Sequence, residues 1–75
     1  MATTPRVSPQ RQARLYAMRE HYKSHILMLV EEINLFLDNP VGVAGHPDYF
    51  KSIDDKVCEI AEYRGMVDVL DKYFS

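Results

Sequence analysis

The feature that most constrains this chain is a stretch of thirty residues, 9–38, with no glycine and with proline only at its first position. Ser8 suits a helix N-cap, and Pro9 suits the first helical position, where an amide hydrogen is not needed. Pro40 then biases the residue before it away from helical geometry. We therefore predict one long helix from Pro9 to Asp38.

Apolar residues of this helix recur at spacings of three and four, which is the period of one helical face. From Tyr22 onward the alternation is a strict heptad, and such a pattern indicates a seam that packs against another helix. The seam comprises Tyr22, Ile26, Leu29, Ile33 and Phe36. Because an isolated helix is marginal in water, we expect a packed partner.

A second helix is predicted after a turn at residues 39–47, which contain two prolines and two glycines. It begins near Pro47 or, by a later start, at Ser52, and it ends near Phe74. Its first apolar stripe comprises Phe50, Ile53, Val57 and Ile60, with Cys58 at the edge. After Gly65 the apolar residues centre roughly a third of a turn away. Either the helix kinks or breaks there, or its two halves bury against different neighbours.

The chain has 75 residues, which is enough for one domain only. Below roughly 70–80 residues a single core seldom supplies more than about 3–5 kcal/mol. Cys58 is the only cysteine, so an intrachain disulfide is excluded, and no zinc-finger spacing is present. We therefore predict an all-α helical hairpin at residues 9–75, with a flexible arm at 1–8. It dimerises into an antiparallel four-helix bundle or, as the next alternative, forms a higher ring or stack.

A second apolar line, on the back of the first helix, supports this interface. Met28 and Leu35 lie one heptad apart, and one hairpin partner covers only one face of that helix. Scattered surface apolar residues are the ordinary alternative. The predicted oligomer interface combines the seam, this back line and the apolar residues beyond Gly65: Tyr22, Ile26, Met28, Leu29, Ile33, Leu35, Phe36, Met66, Val69, Leu70 and Tyr73.

Charge is unevenly distributed along the chain. Residues 1–25 carry five basic and one acidic side chain, and residues 26–75 carry four basic and ten acidic ones, so +4 and −6 sum to −2. A basic helix start with a loose arm could contact phosphates. An acidic partner, such as the second helix of a neighbouring subunit, explains the charges as well. The candidate anion contacts are Arg6, Arg11, Arg14, Arg19 and Lys23.

Groups that could carry chemistry are few. His21 and His25 are spaced i, i+4, so both imidazoles project from one helical face. One pair supplies only two ligands, so we expect exposed or interface histidines, with no metal site and no cofactor. Cys58 is expected to be buried or half-buried. The carboxylates of the second helix form a solvated face, because a two-helix chain offers no cleft for acid–base chemistry, and we expect no enzyme.

No segment predicts export or membrane insertion. Residues 1–10 are polar and lack the apolar region of a signal peptide. The longest apolar run, residues 26–37, is interrupted by Glu31, Glu32 and Asn34, whereas a membrane span needs about 20 residues. We expect a cytoplasmic protein whose thiol is reduced.

Three segments carry a resemblance to a known group: HILMLVEEINLFLDNP, NPVGVAGHPD and IAEYRGMVDVLDKYF. They are similar to small, uncharacterised proteins of tailed phages, especially those that infect marine cyanobacteria. The resemblance implies a viral origin and action in a bacterial cytoplasm or in a virion, and it carries no catalytic signature. The predicted function is a small oligomeric interaction protein that modulates a host or viral protein. The alternatives are a nucleic-acid-binding accessory factor and a virion component.

Overall fold

The computed structural model describes residues 8–38 and 49–74, and these form two helices. Helix α1 spans Pro9–Asp38, and helix α2 spans Tyr49–Tyr73. The helices run antiparallel, because Arg11 at the start of α1 contacts Phe74 just after α2, and Glu32 near the end of α1 contacts Lys56. The predicted all-α hairpin is thus confirmed. Residues 1–7 of the predicted arm and the predicted turn at 39–47 lie outside the described residues, whereas Ser8, the last residue of the predicted arm, is described.

Ser8 sets the start of α1. Its side-chain Oγ accepts a hydrogen bond from the amide of Arg11 at 3.0 Å, and its carbonyl accepts one from the amide of Gln12 at 2.9 Å. The first bond satisfies an amide that has no partner within the helix, and such a cap contributes about 1 kcal/mol. The N-cap predicted from the Ser8–Pro9 pair is confirmed.

The helices meet along a seam with three- and four-residue spacing on both sides. Of the described residues, only Leu29, Val67 and Leu70 are buried, at 8%, 7% and 7% exposure. The half-buried members are Leu15, Arg19, Tyr22, Ile26, Ile33 and Phe36 on α1, and Ile53, Lys56, Ile60 and Tyr63 on α2. This alternation on both helices is the pattern of a two-stranded coiled coil. The heptad residues of α1 therefore pack against α2 of the same chain.

The register of α2 differs from the predicted one. Phe50 and Val57, both placed in the predicted stripe, are 79% and 49% exposed. Lys56 and Tyr63 occupy the seam positions instead, and both are half-buried. A lysine stem and a tyrosine ring are apolar over most of their length, so they pack in a seam while the polar end reaches water. The stripe prediction is wrong at Phe50 and Val57 for this reason.

Cys58 is exposed, so its predicted burial is also wrong. The residue lies two positions after Lys56 and two before Ile60, and both of those face α1. Two residues rotate a helix by about 200°, which turns Cys58 to the outer side. The exposure of Cys58 therefore has the same cause as the half-burial of Lys56, which is the register of α2.

Helix α2 continues through Gly65, so of the two alternatives for this position a break is not observed. Val67 and Leu70 extend the seam beyond the glycine. Met66, Val69 and Tyr73 lie beside the seam and remain 41%, 47% and 61% exposed. The apparent shift of the apolar stripe is therefore a second, exposed line of residues on an unbroken helix.

Replacing Gly65 with alanine is expected to stabilise the hairpin. A Cβ placed there meets nothing within 4 Å, and no glycine among the described residues has a positive φ. Alanine is favoured over glycine by up to about 1 kcal/mol inside a helix. Urea unfolding followed by circular dichroism measures this gain. A marked loss of stability would instead show that another chain packs closely against Gly65.

Candidate functional site

The described surface carries many large apolar side chains. Thirteen of them are at least 38% exposed, whereas three apolar residues are buried. Single exposed apolar residues are ordinary in soluble proteins, so their arrangement matters more than their number. Several of these residues lie in lines at helical spacing on the same side of the hairpin.

One line lies on α1. Met28 and Leu35, one heptad apart, are 64% and 68% exposed. His21 precedes Met28 by one heptad, so the three residues share one edge of the helix. The prediction of an apolar back to this helix agrees with these exposures.

A second line lies on α2, where Met66, Val69 and Tyr73 recur at i, i+3 and i+7. Met66 and Val69 border a shallow groove of about 470 Å³ between the helices. The other residues that line it are Tyr22, Glu62, Gly65 and Leu70. One carboxylate among apolar walls makes this groove suited to an apolar side chain from another molecule.

The two lines lie on the same side of the hairpin. The opposite side has its own groove, which Lys23 and Leu27 border from α1 and Arg64 and Asp68 border from α2. At about 100° per residue, Met28 and Leu35 fall on the other flank of the α1 seam from Lys23. We call Met28, Leu35, Met66, Val69 and Tyr73 together the apolar face.

The structure places the predicted interface residues in two environments. Leu29 and Leu70 are buried within the hairpin. Tyr22, Ile26, Ile33 and Phe36 are half-buried in its seam. The remaining five are the members of the apolar face, and they are the predicted interface residues that a second molecule can reach.

Two of the predicted anion contacts, Arg11 and Arg19, have partners at the end of α2. Arg11 Nη2 donates to the Phe74 carbonyl at 2.9 Å, and Arg19 donates to Asp71 Oδ1 through Nε at 2.8 Å and Nη2 at 2.7 Å. A cation at a helix C-terminus is favoured by the helix dipole. Both arginines therefore contact the end of α2 in the same chain, Arg19 through the carboxylate of Asp71 and Arg11 through the backbone carbonyl of Phe74.

The other predicted anion contacts have separate surroundings. Lys23 Nζ lies 3.8 Å from Glu20 Oε2 on the same helix. Arg14 is exposed, and Arg6 lies outside the described residues. The structure therefore brings Arg11 and Arg19 to the end of α2 and leaves Arg14 facing solvent.

The Arg19–Asp71 pair is expected to stabilise modestly the end of the hairpin where the first half of α1 meets the end of α2. The Arg19 side chain is 22% exposed and that of Asp71 is 54% exposed. A double-mutant cycle with Arg19→Met and Asp71→Asn should give a coupling of about 0.5–1 kcal/mol that falls with added salt. The Lys51–Asp55 pair, 71% and 59% exposed within α2, is the control. An equal or larger coupling there would contradict the prediction.

A cluster of four rings joins α1 to α2 beside the groove. His25 stacks on Tyr63, with ring centroids 4.8 Å apart and ring planes 6° apart. His21 meets His25 edge-on at 4.6 Å, and Tyr22 lies 6.1 Å from Tyr63. Aromatic pairs of this kind contribute about 0.5–1.5 kcal/mol beyond the burial of their area. Tyr63 had no predicted role because its partners lie far from it in sequence.

In residues 8–38 and 49–74, no three His, Cys, Asp or Glu side chains are grouped to hold a metal ion. Neither described helix contains a stretch long and apolar enough to cross a membrane. No protein-family model, curated protein or solved structure matches this chain significantly. The exposed lines of apolar residues are therefore the features on which a functional proposal rests.

Proposed function

We propose that this chain is a small, non-enzymatic interaction protein that works as a homo-oligomer, most simply as two hairpins in an antiparallel four-helix bundle. The observation that carries the proposal is the apolar face, whose five members are 41–68% exposed. A hairpin with three buried apolar residues among those described has little core of its own. A second copy that covers this face would add apolar side chains to that core.

Magnitudes support a reversible dimer. Burying a large apolar side chain fully contributes about 1.5–3 kcal/mol, so covering ten partly exposed ones, five in each copy, contributes on the order of 10 kcal/mol. Association itself costs about 4–15 kcal/mol in lost freedom of motion. The two terms are comparable, so we expect a dimer that dissociates on dilution.

The resemblance to tailed-phage proteins supports the biological part of the proposal. A phage-encoded oligomer of this kind would act in the bacterial cytoplasm, where it binds and modulates a host or viral protein. The side with Lys23, Arg64 and Asp68 stays open when the apolar face is covered. It offers charges of both signs to such a partner.

Light scattering behind a sizing column, over a hundredfold dilution, tests the self-association. The expected mass at high concentration is twice the 8.7 kDa of one chain, and it should fall towards 8.7 kDa on dilution. A mass of one chain at every concentration would contradict the homo-oligomer. A mass that is larger than two chains and constant on dilution would indicate the ring or stack instead of the dimer.

The nucleic-acid alternative has less support, because Arg11 and Arg19 contact the end of α2. Sequence-independent binding to nucleic acid depends on cations that can reach phosphates. Gel retardation of DNA and RNA at low salt tests it. If the exposed Arg14 contacts phosphates, the Arg14→Glu variant should weaken the retardation, and no retardation of the parent would remove this alternative. The virion alternative is tested by mass spectrometry of purified particles.

A further inference from the structure

We infer that His21 and His25 form a two-histidine site for a divalent transition-metal ion of the Ni²⁺, Cu²⁺ and Zn²⁺ group. The spacing alone gives only two ligands on one helical face. The structure adds the separation of the rings, the residue that holds one of them, and their access to solvent. None of these follows from the spacing.

The separation of the two rings matches that of imidazoles bound to one ion. Imidazole nitrogens bind such ions at about 2.0–2.1 Å, which places each ring centroid about 3.2 Å from the ion. When the nitrogen–ion–nitrogen angle is about 90–109°, as in square or tetrahedral coordination, the two ring centroids are about 4.5–5.2 Å apart. The centroids of His21 and His25 are 4.6 Å apart, and the ring planes make an angle of 84°. Chelation therefore requires the exposed His21 ring to turn until its nitrogen and a nitrogen of His25 face the same point, while His25 stays stacked on Tyr63.

Tyr63 holds one of the two ligands in place. The His25 ring lies parallel to the Tyr63 ring at 4.8 Å, and the seam holds Tyr63 half-buried. Stacking covers a ring face and leaves the edge, where the nitrogens lie, free to bind. A ligand ordered in advance loses less freedom on binding, so Tyr63 is a positioning residue for this site.

Exposure and chemistry select the class of ion. His21 is exposed and His25 is half-buried, so an ion can reach the pair from solvent. No third His, Cys, Asp or Glu of the described residues joins them, so water completes the coordination. Imidazole suits Ni²⁺, Cu²⁺ and Zn²⁺, whereas Mg²⁺ and Ca²⁺ need oxygen ligands and should not bind.

Calorimetric titration with Ni²⁺ tests the site directly. The protein is the full chain, without a histidine tag, carrying Cys58→Ser because that exposed thiol would bind soft ions itself. We expect one Ni²⁺ per chain. His21→Asn and His25→Asn should each weaken binding about tenfold or more, because each removes half of the protein ligands. His46→Asn, which removes the third histidine, is the matched control and should bind as the parent does.

Two further measurements separate chelation from other binding. Tyr63→Leu keeps an apolar seam residue, and it should weaken Ni²⁺ binding by up to about tenfold without changing the stoichiometry. Ni²⁺ should raise the thermal midpoint of the parent but not that of His25→Asn, because the two imidazoles converge only in the folded helix.

The site is overturned if Ni²⁺ fails to bind, or if either His21→Asn or His25→Asn binds it as tightly as the parent. It is also overturned if His46→Asn weakens binding as much as they do. The inference is independent of self-association, because both ligands belong to one helix. Mass measurements in the presence of a chelator report self-association without bound metal, so they test the dimer separately from the histidine site.

Discussion

Replacing Leu29 with aspartate is expected to unfold the hairpin. Leu29 is the one buried residue of α1, at 8% exposure, and it lies in the middle of the seam. Truncating a buried leucine alone costs about 2–5 kcal/mol. A carboxylate left without a partner among apolar side chains adds a further cost. Because a core of this size supplies about 3–5 kcal/mol in total, most of the helical circular dichroism should be lost.

Leu27→Asp is the matched control for this experiment. It makes the same chemical change two residues away on the same helix, where the side chain is 67% exposed. The loss of intrinsic helix propensity is equal in the two variants, so a difference between them reports burial. If Leu29→Asp keeps its helical signal, or both variants lose it equally, the heptad seam does not hold the hairpin together.

Placing two glutamates on the apolar face is expected to separate the proposed dimer into single hairpins. Met28 and Leu35 contribute little to the hairpin itself, since they are 64% and 68% exposed. Met28→Glu combined with Leu35→Glu would bring four carboxylates into an apolar interface between two copies. Burying charges without partners costs several kcal/mol, which is enough to abolish a dimer of moderate affinity. Light scattering should then give the mass of one chain.

The control carries the same two substitutions away from that face. Leu27 and Leu37 are 67% and 56% exposed, and Leu27 borders the opposite groove. Leu27→Glu combined with Leu37→Glu should keep the mass of the parent. Circular dichroism on both variants shows whether the hairpin persists in each. Equal masses for the two double variants would contradict the assignment of the interface to the apolar face.

Local signals in the sequence were sufficient to predict much of α1. Its start depends on Ser8 and Pro9, and its end depends on Pro40, so each boundary is decided within a few residues. Its seam is formed largely by aliphatic and aromatic residues at heptad spacing, and a periodicity count finds such residues directly. The predicted bounds Pro9 and Asp38 coincide with those of the structure.

The same count did not predict the face of α2 correctly. Hydrophobicity alone would place Val57 in the seam and Lys56 in solvent. In the structure, Lys56 lies in the seam and Val57 is 49% exposed. Contacts across the hairpin decide this, because Lys56 Nζ lies 3.8 Å from Glu32 Oε1 and 6.0 Å from the centre of the Phe36 ring. Partners on the other helix are not visible in a local pattern.

The chain's amino-acid order alone establishes two long helices, the Ser8 cap of α1 and the apolar edge of α1, because these depend on neighbours within one or two turns. Only the packing of α1 against α2 decides which residues of α2 face inward. It also decides that Arg19 meets Asp71 and that Tyr63 stacks on His25. These pairs are 52 and 38 residues apart in sequence, so only the register of the hairpin brings them together. That register depends on the sum of many weak contacts along the seam.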